Sequence, residues 1–127
     1  LERVGEPKTP AALTALPLTT LINRADGRAW PWVFRDDTQV QPRTPAFITD
    51  DPETEVRAAC AGIGFTQTSE YLLRPHVERG ALVRVLRRFE PAPWTLHVYR
   101  PQRGPVPQRV RLVFDALAEG LRGLCRT

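Results

Sequence analysis

The chain alternates between short runs with a two-residue apolar rhythm and longer runs with a helical one, which predicts strands interleaved with helices. Thr9 followed by Pro10 is an N-cap with proline at the first helical position, so residues 11–16 are expected to form a short helix that Pro17 ends. Leu18-Thr19-Thr20-Leu21-Ile22 is β-prone and stops at the polar turn Asn23 to Gly27. Residues 30–34 and 38–40 flank Asp36-Asp37 and predict a hairpin, with Trp30 and Trp32 read as packing residues. A short strand over 46–49 follows, then Asp51 as N-cap with Pro52 at the first helical position. Val56, Ala59, Cys60 and Ile63 fall on one helical face before Gly62 and Gly64 break it.

A second helix is expected from Ser69, capped by Thr68 and split into two short pieces by Pro75, whose ring clashes with the preceding turn. Gly80 closes it, and residues 81–86 read as a strand. Pro91-Ala92-Pro93 marks a boundary, because consecutive constrained residues cannot continue a ladder. Trp94, Leu96 and Val98 then alternate with Thr95, His97 and Tyr99, predicting a half-buried strand. After a proline-glycine loop over 101–107, Val110, Val113, Phe114, Leu117, Leu121 and Leu124 form the apolar stripe of a terminal helix. The whole predicts an α/β fold.

A length of 127 residues with 42% apolar content suffices for one packed domain. No run approaches the roughly 18 apolar residues needed to span a bilayer, and the first residues lack the apolar core of a signal peptide, so a soluble chain without a membrane partner is expected. The sequence has no methionine, so Leu1 is expected to be a fragment boundary. Cys60 and Cys125 lie far apart with no histidine at ligand spacing, which predicts free thiols in a reducing cytosol and no metal site. The formal charge is +4, with Lys8 the only lysine; the arginines are scattered rather than clustered on one face, which argues against direct DNA binding by this segment.

Ser69 is the only serine, but its neighbours Thr68 and Glu70 are not the glycines of a nucleophile elbow. His76 and His97 have no acid or nucleophile partner evident in sequence, so no catalytic residue is assigned and no cofactor is expected. Gln67, Thr68 and Ser69 stand where a strand runs into a helix start, whose free N–H groups can hold a carboxylate or phosphate. The helix at Pro52 is a poorer anion site, since Asp51, Glu53 and Glu55 already supply negative charge there.

Residues 57–65 (RAACAGIGF), 75–86 (PHVERGALVRVL), 99–101 (YRP) and 110–117 (VRLVFDAL) occur in an order and spacing that resemble the effector domain of LysR-type transcription regulators. Gly5 to Pro10 with Leu13 resembles the family's entry into its second subdomain. The resemblance implies a periplasmic-binding-protein-like α/β effector domain that clasps a small molecule between two subdomains. On that reading, residues 1–92 are the second subdomain, and 93–127 are the return strand and terminal helix of the first. The family's winged helix-turn-helix is absent from the sequence, so DNA would be reached only through that missing part.

The implied protein is a cytoplasmic, non-enzymatic sensor that binds a carboxylate-bearing effector and forms dimers or tetramers. Gln67, Thr68 and Ser69, with Asn23 added by family position, are the expected effector-binding residues. This sequence departs from the family where proline often replaces Ser69 and apolar residues replace Gln67 and Thr68. A fragment of a small α/β hydrolase or transferase, and an exported solute-binding module, stand as the alternatives.

Overall fold

A computed structural model describes residues 4–101 and 104–124. They form a mixed architecture of helices and small sheets, and the chain divides into two compact units, Leu1–Ala92 and Pro93–Thr127. No described helix is long and apolar enough to cross a membrane.

The first unit is built around strand β1, Thr19–Leu21. One edge of β1 pairs in parallel with β4, Phe47–Thr49, in the register Thr19↔Phe47, Thr20↔Ile48 and Leu21↔Thr49. The other edge takes Phe65, also parallel, at its start, and Ala29, antiparallel, near its end. Strands β2, Trp32–Val33, and β3, Gln39–Val40, form the expected hairpin, closed by a 3₁₀ turn at Arg35–Asp37 in which Asp36 and Asp37 have φ of 59° and 58°. The first predicted helix is a 3₁₀ turn, Pro10–Ala15, begun by Pro10 as expected, though Thr9 makes no side-chain cap.

Alternation along β1 assigns its two faces. Leu18 joins Leu13, Trp32, Phe34 and Val40 in the buried core, against which Leu16, Phe65, Leu86 and Phe89 pack. Thr19 faces the other way, toward helix α1, Pro52–Cys60, which lies on β1 and β4. Asp51 caps α1 through its carboxylate, which accepts from the Thr54 amide at 2.9 Å and from the Thr54 hydroxyl. Those bonds hold the Asp51 carboxyl below its usual pKa. The buried face of α1 is Glu55, Val56, Ala58 and Ala59, whereas Ile63, placed on that face by periodicity, is 42% exposed beyond the helix end.

Gly64 illustrates how tightly the return to Phe65 is packed. A Cβ there would meet the Pro17 carbonyl oxygen at 2.6 Å, and backbone cannot swing away as a side chain can. Gly64→Ala should therefore lower stability by about 1–3 kcal/mol, as overpacking does. A urea titration giving an unchanged midpoint would contradict that close approach.

Several expectations are corrected. Helix α2, Glu70–Glu78, runs through Pro75 as one continuous element. Pro75 removes a single amide donor, and packing against α1 holds the helix together despite that loss. Residues 81–86 form no strand: the amides of Ala81 and Leu82 close α2 on the His76 carbonyl, and Leu86 is left-handed at φ 56°. Arg84 instead ion-pairs with Glu90 at 2.9 Å and Glu70 at 3.4 Å. Trp30 is 48% exposed rather than packed.

In the second unit, residues 94–99 carry no strand pairing, and Trp94 and Tyr99 are each 81% exposed. A half-buried strand needs both a ladder partner and a surface to cover one face, and no described segment pairs with this one. Helix α3, Gln108–Leu124, forms as predicted, but Val110, Val113 and Leu117 on its apolar stripe are exposed. The side chain of Leu124, and Cys125 with its expected free thiol, lie outside the described residues.

Candidate functional site

Because β1, β4 and Phe65 are all parallel, their C-terminal ends gather at one edge, the side on which ligands commonly bind in α/β sheets. Asn23 follows β1 there, Asp50 follows β4, and residues 66–69 follow Phe65. Asp50 is paired with Arg24 at 2.7 Å. The start of α1 is already served by Asp51, which leaves the start of α2 as the open helix end.

The segment before α2 is held by Gln67. Its amide clamps the Val33 backbone, accepting from the amide at 2.8 Å and donating to the carbonyl at 2.8 Å, as a neighbouring strand would. Thr68 is half-buried and Ser69 is exposed. Ser69, not Thr68, is the N-cap of α2, and neither side chain makes a capping hydrogen bond. Two atoms that sequence singled out are thus unengaged at a helix start, while the third, Gln67, positions them.

Asn23, at the end of β1, is engaged differently. Its side-chain oxygen accepts from the Ala25 amide at 2.9 Å, fixing the turn after β1, and it lines an open cleft of about 600 Å³ together with Arg28, Trp30, Pro42 and Arg43. Residues 67–69 do not line that cleft, so the four expected effector residues are not brought together in it. The cleft itself was not anticipated. Its signal was the pair of arginines flanking a tryptophan that the hairpin brings into one place, which requires the fold to be known.

Two further groups escaped sequence reading. Glu55, expected to add charge to the first turn of α1, is fully buried, and its Oε1 accepts from the Thr19 hydroxyl at 3.0 Å. Glu55 Oε2 and the Thr66 hydroxyl are both buried without a completed hydrogen bond. Burial pushes the Glu55 carboxyl above its usual pKa, partly opposed by the hydroxyls of Thr19 and Thr66. His76, for its part, finds a thiol in space: its Nδ1 is 3.0 Å from Cys60 Sγ and 2.6 Å from Arg79 Nη2. With Arg79 donating, Nδ1 acts as the acceptor in that contact.

Among the described residues no hydrogen bond links Ser69 to a histidine, and no group of three or more His, Cys, Asp or Glu could hold a metal ion. The arrangement is that of a small α/β module with polar groups at its strand ends. The sequence pattern of the LysR substrate binding domain matches residues 1–122, and the chain belongs to that family. It is 31% identical over 90 residues to YagP of Escherichia coli K12, named as a LysR family substrate binding domain-containing protein, covering 71% of this chain and 66% of that one. It is also 31% identical over 114 residues to a Pseudomonas aeruginosa protein named as a transcriptional regulator, covering 88% of this chain and 37% of that one. The chain thus spans just under two thirds of the first relative and little more than a third of the second.

Proposed function

We propose that this chain is the ligand-sensing part of a LysR-type transcription regulator, which binds a small carboxylate-bearing effector without chemical turnover. Thr68 and Ser69 would contact the carboxylate beside the amides at the start of α2. Gln67 would hold that segment against Val33, and Asn23 would extend the polar surface from the end of β1. Residues 1–92 correspond in this reading to the second subdomain of the effector domain, and 93–127 to the return segment of the first. In the whole cytoplasmic protein, effector binding would alter the geometry of a dimer or tetramer and so act on DNA through a winged helix-turn-helix. A few kcal/mol of differential affinity between two states suffices for such a switch.

The observation that supports this most directly is the uncapped start of α2 at the carboxyl edge of parallel strands. Small aliphatic carboxylates screened by thermal melting should include one that stabilises the chain, by about 2.7 kcal/mol at a hundredfold excess over its dissociation constant. The double substitution Thr68→Val/Ser69→Ala should abolish the shift. Equal shifts in both proteins would remove α2 from the binding surface.

A further inference from the structure

The contact between α1 and α2 brings together three side chains that lie outside the strand-end surface. Cys60 is the last residue of α1, partly buried and carrying a free thiol. His76 lies in the last turn of α2, with its backbone carbonyl held by the amides of Ala81 and Leu82. Its Nδ1 stands 3.0 Å from Cys60 Sγ and 2.6 Å from Nη2 of Arg79, the residue that ends α2. Among the described residues Arg79 forms no salt bridge, so no carboxylate cancels its charge. An acceptor nitrogen of imidazole has one lone pair, and here two donors are directed at it. Moving the thiol proton onto Nδ1 resolves that conflict: the new N–H donates to the sulfur, and the guanidinium is released to face the negative charge. The thiolate is the nucleophilic form of cysteine, and a base at hydrogen-bond distance generates it.

We propose that Cys60 is a site of covalent modification by small α,β-unsaturated carbonyl compounds, with His76 as the base and Arg79 as the partner of the developing oxyanion. The sulfur bonds to the β-carbon as its proton passes to His76 Nδ1, and the π pair of the C=C bond moves onto the carbonyl oxygen as an enolate facing Arg79. His76 then returns the proton to the α-carbon. One S–H bond and one π bond are exchanged for a C–S and a C–H bond, so the step releases no group and uses no oxidant. Partial burial between two helices favours a small, flat electrophile over a peptide-sized disulfide. None of the three residues belongs to the effector surface proposed above, so this site stands or falls on its own.

The test treats the 127-residue chain with methyl vinyl ketone and follows adducts at Cys60 and Cys125 separately by peptide mass spectrometry. Native Cys60 should react about tenfold or more faster than the same residue in the chain unfolded in urea at equal pH, the direction a positioned base imposes. Burial alone would produce the reverse. His76→Asn should bring the native rate to the unfolded one or below it. Arg79→Gln should slow addition of the ketone more than alkylation by iodoacetamide, which displaces iodide and forms no enolate; a purely structural role would slow both alike. Circular dichroism checks that each variant is folded, and the comparison of native with unfolded parent needs no variant. A native Cys60 that reacts no faster than the unfolded one, an unchanged rate in folded His76→Asn, or equal slowing of both reagents in Arg79→Gln would each overturn the proposal.

Discussion

Trp32→Ala should lower the stability of the first unit by about 3–5 kcal/mol, as truncating a large buried ring does. The indole is 5% exposed within the core, packs against Phe34 with ring centroids 6.5 Å apart, and donates to the Thr19 carbonyl of β1. Truncation both opens a cavity and leaves that carbonyl without its donor. Against a typical total of about 5–15 kcal/mol, such a loss brings a domain close to unfolding. Trp32→Phe keeps one aromatic ring and most of the packing while removing the N–H and part of the indole, and should cost less, about 1–3 kcal/mol. Urea titrations followed by circular dichroism measure both. A Trp32→Ala midpoint within about 1 kcal/mol of the parent would mean that the hairpin is not anchored to β1 through this ring. The effect should reach the α2 start as well, because Gln67 is clamped to Val33, the neighbour of Trp32.

What could be read from sequence was what neighbouring residues decide among themselves. Pro10, Asp51 with Pro52, the turn after Asn23 and the glycine at position 80 act over a few bonds, and each stands where its local chemistry put it. Strand formation needs a partner from a distance: Leu18 to Ile22 found partners on both edges, whereas 81–86 and 94–99, equally β-prone, found none among the described residues. Pro75 misled in the opposite sense, since one lost amide bond is outweighed by contacts that no local pattern displays. At the strand ends the same division holds. Placing residues 67–69 at a helix start was legible, but the engagement of Gln67 with Val33 depends on a hairpin more than thirty residues earlier. Arg28 and Arg43 become a pair only when that hairpin folds.

Glu55→Gln should make the protein more stable at neutral and alkaline pH, by about 1–3 kcal/mol, the scale on which an unsatisfied buried polar group destabilises a fold. Ionised, Glu55 would place a charge between α1 and β1 with one oxygen bonded to Thr19 and the other, near the Thr66 hydroxyl, without a completed hydrogen bond. The Thr19 hydroxyl lies near both Glu55 Oε1 and the Phe65 carbonyl, at 3.0 and 3.1 Å, and has one proton to give. A protonated Glu55 resolves this conflict by donating to a threonine hydroxyl. Glutamine keeps the shape, offers donors as well as an acceptor, and carries no charge. The folded carboxyl has a raised pKa, so the folded state binds the proton more tightly than the unfolded chain. Its stabilising contribution is therefore complete below the ordinary value of 4.5 and is lost as pH rises through the folded value. In Glu55→Gln that dependence disappears, while exposed carboxylates such as Asp51 keep their opposite one, with stability lost as pH falls. Denaturation midpoints of the two proteins, measured from acid to alkaline pH, should converge at low pH and separate above it in favour of glutamine. Parallel curves across the range would show that Glu55 titrates alike in the folded and unfolded chains, and that its burial against Thr19 imposes no electrostatic cost on the fold.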